Sequence, residues 1–277
     1  MDAAESLGRC AAAWAAAKRV AVGEWDVRYR EAGDGPPIVL VHGLGVSADY
    51  WWRNGPALAT AGFRVLAPDL PGFGRTKGPE EGLSVTQQAA ALRAWIDELD
   101  LPPATFVGHS LSCQTIMQLA VETPERVAGL VLAAPTGEPA RHRLLHQAVG
   151  LFRDIPRESM RLAVEVATAY LLAGPRRIWR TWNMGALHDP LALLPKITAP
   201  GIVLLGSRDP VVPRDFALAL AQGLGQRDIT WIEGAAHALI FTHADEFNRA
   251  ILEFMSGPGN REQGTGNSGI RIEGAGA

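Results

Sequence analysis

A serine, an aspartate and a histidine stand far apart in this chain, each in a context that can help turn a hydroxyl into a nucleophile. Ser110 lies in Gly108-His109-Ser110-Leu111-Ser112, between a strand-like apolar run, Ala104 to Val107, and a helix-like run from Leu111 to Thr123. A serine hydroxyl is a weak nucleophile unless a base takes its proton and fixed dipoles receive the oxyanion that forms. A sharp bend between strand and helix lifts such a side chain clear of a sheet when its neighbours are small. Asp209 lies in Gly206-Ser207-Arg208-Asp209-Pro210, directly after the apolar run Ile202 to Leu205. His237 lies in Gly234-Ala235-Ala236-His237, directly after Ile229 to Ile232. Each of the three therefore ends a predicted strand, and in a parallel sheet those ends open on one edge, where ligands bind. Hydroxyl, imidazole and carboxylate brought together there point to attack on an acyl carbonyl.

With serine on a strand–turn–helix and Ser, Asp and His in that chain order, the sequence from about Val20 to about Met255 resembles the α/β-hydrolase superfamily. The resemblance implies a nucleophile at Ser110, a base at His237 and an orienting acid at Asp209. It also implies a backbone role for His42-Gly43-Leu44-Gly45, which follows the strand Ile38 to Val41. There the N–H of Leu44 would join that of Leu111 as an oxyanion hole, the flanking glycines letting the chain turn its amide toward a carbonyl. His42 reads as a loop-orienting residue rather than a base. One departure from the pattern G-x-S-x-G is plain: Ser112 replaces the second glycine, which still admits the helix but implies a more strained elbow. Ser110 excludes the aspartate nucleophile of the dehalogenases and epoxide hydrolases. The carbon–carbon bond hydrolases of the superfamily typically carry asparagine before their serine, where this chain has His109.

The elements that must position these residues follow from periodicity. Val20 to Glu31 reads as two strands about a turn at Gly23; Val39 to Val41 and Val65 to Ala67 are apolar runs suited to buried parallel strands. Ser84-Val85-Thr86-Gln87 is a capping box, followed by Leu92, Trp95, Ile96 and Leu99 on one helical face. Helices are also expected after Pro213 and through Phe247, Ile251 and Phe254. Strand followed by helix, repeated, predicts an α/β fold with a doubly wound, mostly parallel sheet. Between the strands Leu130–Ala134 and Ile202–Leu205 no strand signal appears. Pro156 and Gly174-Pro175 bracket a helical run with Leu162, Val166, Ala169 and Tyr170, and the resemblance implies an inserted helical cap here. The expected division is a core over 1–135 and 196–256, a cap over 136–195, and a glycine-rich disordered tail over 257–277. Trp51 and Trp52, after the loop of Leu44, and Trp179 and Trp182, on one helical face of the cap, are the expected aromatic walls of a substrate pocket.

Composition narrows the function classes. The 277 residues are 47% hydrophobic and 20% charged, with a formal net charge of −3, which fits one large α/β domain with an insert. No lysine–arginine block offers a footprint for nucleic acid. No apolar run approaches the roughly twenty residues of a membrane span. Asp2 and Glu5 stand where a secretory signal has positive charge, so the alanine-rich start reads as a short amphipathic helix and the expected location is cytoplasmic. Cys10 and Cys113 form no disulfide framework or metal spacing. Glu138, His142 and His146 share helical spacing, but solvated polarity explains them without a metal. No phosphate loop follows the first strand, so no nucleotide is implied, and an acyl-enzyme cleaved by water needs no cofactor. The cap segment holds eight arginines against five acids, a net +3 that leaves −6 for the rest. That is a solvated helical surface, or a basic roof that steers an anionic substrate.

The resulting expectation is a serine hydrolase cleaving an ester-like bond of a small molecule through an acyl-enzyme. The same triad also serves acyltransferases, carbon–carbon bond hydrolases and lyase-type enzymes, and a non-catalytic ligand-binding or cyclisation scaffold would use the pocket alone.

Overall fold

The computed structural model describes residues 3–138 and 160–257. Its centre is an eight-stranded sheet in the order β1-β2-β4-β3-β5-β6-β7-β8. The strands are β1 (Lys18–Val22), β2 (Trp25–Ala32), β3 (Pro37–Val41), β4 (Arg64–Pro68), β5 (Ala104–His109), β6 (Val127–Ala133), β7 (Gly201–Gly206) and β8 (Thr230–Ile232). From β4 to β8 all neighbours run parallel, whereas β1 pairs antiparallel with β2 and β2 with β4. The sheet is thus mostly parallel and doubly wound, as the alternation of runs predicts.

The residue types explain this arrangement. Ile38, Val39, Leu40 and Val41 are wholly buried, as are Phe106 and Val107 on the neighbouring β5. Continuous β-branched and apolar runs suit strands covered on both faces. The β1–β2 hairpin is the charged edge instead: Lys18 meets Glu31 at 2.7 Å and Arg19 meets Asp26 at 2.6 Å. Charge on an edge strand discourages pairing with another sheet.

Helices cover the sheet in two groups. In one, α1 (Ala3–Ala15), α2 (Gly55–Thr60) and α8 (Ala244–Ser256) touch through α2. In the other, α3 (Val85–Glu98) packs on α4 (Ser112–Glu122), while α7 (Arg214–Gly223) lies against β7. The capping box before α3 is complete: Ser84 Oγ accepts from the Gln87 amide and Gln87 Oε1 from the Ser84 amide. Trp95 and Ile96 then bury the face that the spacing predicts.

Between β6 and β7, in the segment expected to form the cap, lie α5 (Met160–Ala173), α6 (Pro175–Ala186) and a 3-10 helix, Leu191–Lys196. Pro156, His142, His146, Arg141, Arg143, Arg153 and Arg157 fall outside the described residues, as does the tail from 258 onward. The cap rests on the core at close quarters. A Cβ on Gly45, whose φ is +79°, would meet the Tyr170 ring at 2.9 Å, so glycine is required there, and Gly185 packs where a Cβ would stand 2.4 Å from Leu111 Cδ1. Arg177 donates to the carbonyls of Gly72 at 2.9 Å, Pro79 at 3.0 Å and Gly78 at 3.3 Å, tying α6 to the loop after β4.

Strand order also says where a site belongs. The chain runs from β3 out to β4, then returns to place β5 on the other side of β3. Such a reversal opens a crevice beyond the carboxyl ends of the two strands. The loop His42–Gly45 and the Ser110 turn leave those two ends.

Candidate active site

Ser110 leaves β5 with φ +58°, in the left-handed region that serine seldom occupies. A residue held there costs on the order of 1–3 kcal/mol, so its surroundings must fix it. They do so through the backbone: the Ser110 amide donates to Ala133 O at 2.9 Å, and its carbonyl accepts from Cys113 at 3.1 Å and Thr136 at 3.4 Å. A Cβ on Gly108 would lie 2.9 Å from the Cys113 nitrogen, so glycine lets α4 begin this close to β5.

The structure brings Ser110, His237 and Asp209 together. His237 Nε2 is 3.1 Å from Ser110 Oγ, and His237 Nδ1 is 3.0 Å from Asp209 Oδ2. The other Asp209 oxygen accepts from the amides of Val211 at 2.7 Å and Val212 at 3.1 Å. Burial by itself would raise the Asp209 carboxyl, but His237 and these two amides outweigh it and hold the group below its ordinary value. An ionised carboxylate only accepts, so Nδ1 carries the proton and Nε2 turns a lone pair toward the serine hydroxyl.

The loop expected to hold the oxyanion lies against this turn. A Cβ on Gly43 would stand 3.1 Å from His109 O and 3.4 Å from Ser110 Cβ. Neither the Leu44 nor the Leu111 amide donates a hydrogen bond to another of the described residues. His42 orients the loop: its Nδ1 donates to Gly43 O at 2.8 Å, and its Nε2 accepts from the Leu70 amide at 3.0 Å. Burial lowers the His42 pKa, which keeps the ring neutral in that role. Asp69, wholly buried, accepts from Arg28, the Ala48 amide and the Arg75 amide, and so braces the neighbouring loops.

Two further residues pack into the site without joining the Ser110–His237–Asp209 chain. His109 lies with its ring centroid 5.1 Å from that of His237, and its Nε2 donates to the His237 carbonyl at 3.0 Å. Burial and the neighbouring His237 push its pKa down to about 3, so it is neutral. Ser112 is buried, and its hydroxyl bonds to backbone on both β3 and β5. Position was the available signal: both residues sit within two of Ser110, where a tight turn packs them on neighbouring loops.

The aromatic candidates divide. Trp51, expected at the pocket wall, is fully buried against Phe247, because the 3-10 helix Ala48–Trp51 turns it inward; an indole enclosed on all sides belongs to the core. Trp52 is half-buried and edge-on to Phe241. Trp179 and Trp182 do share a face of α6, with rings 5.8 Å apart, but Trp179 is 57% exposed. A cleft of about 190 Å³, whose lining does not include Ser110 or His237, opens between α5 and the segment after the Leu44 loop, lined by Val46, Tyr50, Arg75, Val166, Ala169 and Leu172 among others. Among the described residues, no three His, Cys, Asp or Glu side chains group to hold a metal ion, and no helix is long and apolar enough to cross a membrane.

A doubly wound sheet, a strained serine at a strand–helix turn and a helical insert over the strand ends define an enzyme class, that of the capped α/β-hydrolase fold. The chain belongs to that family. Its sequence matches the family described as alpha/beta hydrolase fold over residues 36–169. It is 31% identical over 266 residues to the 2-hydroxy-6-oxononadienedioate/2-hydroxy-6-oxononatrienedioate hydrolase of Paraburkholderia phymatum, covering 84% of this chain and 91% of that one. Two solved structures share the fold. The bromoperoxidase from Bacillus anthracis has a TM-score of 0.76 at 22% identity, covering 87% of this chain and 100% of that one. A thermophilic esterase from Thermogutta terrifontis has 0.75 at 21%, covering 90% and 100%.

Proposed function

We propose that the protein is a serine hydrolase that cleaves an ester-like bond of a small molecule through an acyl-enzyme. The observation that carries this reading is the continuous chain Ser110 Oγ–His237 Nε2–Asp209, at 3.1 and 3.0 Å, ending in a buried carboxylate. Ser110 Oγ attacks the acyl carbon as its proton passes to His237 Nε2, and the carbonyl electron pair moves onto oxygen. That oxygen faces the amides of Leu44 and Leu111, each donor worth about 3 kcal/mol by analogy with other hydrolases. Collapse expels the alcohol, which takes the proton from Nε2. Water, deprotonated by the same imidazole, then releases the acid and restores Ser110. Asp209 stays ionised throughout and holds the imidazole in one tautomer.

Ser110→Ala should abolish labelling by a fluorophosphonate and lower turnover by about 10⁴-fold or more. The fold should remain intact, because the side chain is half-exposed at a turn. Near-full ester cleavage by that variant would overturn the assignment. A second reading, carbon–carbon bond hydrolysis, draws on the relative from Paraburkholderia phymatum, which is named for an oxo-dienedioate and not for an ester. An ester panel graded by acyl length and charge, run beside an oxo-dienoate, separates the two. Turnover of the dienoate with every ester left intact would favour the second reading.

A further inference from the structure

We propose that Ser112 is a positioning residue whose hydroxyl ties the turn of the nucleophile to the strand that carries the oxyanion loop. This rests on the reading of Ser110 as nucleophile and of the Leu44 amide as an oxyanion donor. Ser112 is 2% exposed and stands where the elbow pattern has glycine. Its Oγ accepts from the His109 amide at 2.9 Å and donates to Val41 O at 2.7 Å, with His109 O also near, at 3.0 Å. Val41 ends β3, and His42-Gly43-Leu44 follow it directly. His109 ends β5, and Ser110 follows it directly. One hydroxyl therefore spans the last residues of the two strands from which acceptor and attacker emerge.

The spacing between those strand ends sets the distance from the Leu44 amide to any oxyanion formed on Ser110. Hydrogen bonds between the strands fix that spacing within the sheet, but the ladder stops where the chains diverge into their loops. Ser112 adds a cross-link at that point. Glycine has no group to supply it, and alanine removes the hydroxyl while keeping the side-chain volume nearly constant. A donor displaced by even a fraction of an ångström loses more in the transition state than in the ground state, because the oxyanion carries full charge and the ester carbonyl only a partial one.

Ser112→Ala and Ser112→Gly test this in the full-length protein, with a cleavable ester and a trifluoromethyl ketone matched to its acyl group. The ketone adds to the serine and places an oxyanion in the hole. Both variants should lose about 10- to 100-fold in kcat, with the ketone's Ki rising by the same factor and KM within about twofold. A merely structural loss would lower active-site titre and leave the Ki of the remaining enzyme unchanged. Glycine is the residue the pattern ordinarily carries, so that variant reads the effect even where alanine impairs folding. Values of kcat and Ki within about twofold of the parent, or a loss confined to KM, would overturn the proposal. Fluorophosphonate labelling of the parent enzyme separates the two levels. A labelled parent with unchanged variants defeats the role of Ser112 alone, whereas an unlabelled parent defeats the reading of Ser110 and this inference with it.

Discussion

The imidazole of His237 is held on three sides: Asp209 on Nδ1, Ser110 on Nε2, and His109 beneath its own carbonyl. Each contact limits a different freedom. On the proposed mechanism Asp209 selects the tautomer, so Asp209→Asn should lower kcat by about 10⁴-fold while leaving the fold unchanged, which steady-state kinetics and circular dichroism would check. Mild loss there would place the orienting acid elsewhere. His109 restrains the loop rather than the proton. His109→Phe keeps a ring beside His237 but removes the donor, and should reduce kcat by about tenfold, far less than the aspartate change. Equal losses in the two variants would mean that His109 takes part in proton transfer itself.

At the scale of elements, the guanidinium of Arg177 fastens the cap to three carbonyls of the loop after β4. Arg177→Ala should speed amide exchange and proteolysis across α5 and α6 and raise KM, while the sheet keeps its protection. Arg177→Lys should not rescue it, since an ammonium lacks the planar fork that reaches three acceptors. Unchanged exchange in the alanine variant would show that Tyr170 on Gly45 suffices. Arg180 likewise turns to Glu81 of the core. Of the arginines near the cleft beside α5, the one that lines it is Arg75 of the core. The strands and their order of chemistry were legible because buried parallel strands need apolar runs, and turns need glycine, proline or a cap. The contacts of Tyr170, Arg177 and Trp51 were not legible. They depend on which way a side chain points from a helix or a single 3-10 turn, and on glycines that matter only once a distant element arrives above them.

At the scale of the molecule, His42 and His109 are buried and neutral, with burial the main cause of both lowered pKa values. Unfolded histidine binds a proton below about pH 6.5, whereas folded His109 does so only near 3. The unfolded chain thus holds more protons throughout that window, and stability falls as pH falls through it, by up to about 1.4 kcal/mol per pH unit for each such group. Asp209 works in the same direction at its lower end, because its depressed pKa gives stability that is lost as the carboxylate is protonated. Urea denaturation between pH 7 and 4 should show this slope, and His109→Phe should make it shallower; an equal slope would place the buried charge penalty elsewhere. The placement of the insert between β6 and β7 carries one more consequence, and it concerns birth rather than equilibrium. A ribosome releases the serine turn and the oxyanion loop first, then the cap, and only then the strands that bring Asp209 and His237. With Ser110 and His237 127 positions apart in the sequence, synthesis at about 5–20 residues per second leaves the nascent chain without the base of the proposed mechanism for on the order of ten seconds. The half-made protein emerges disarmed.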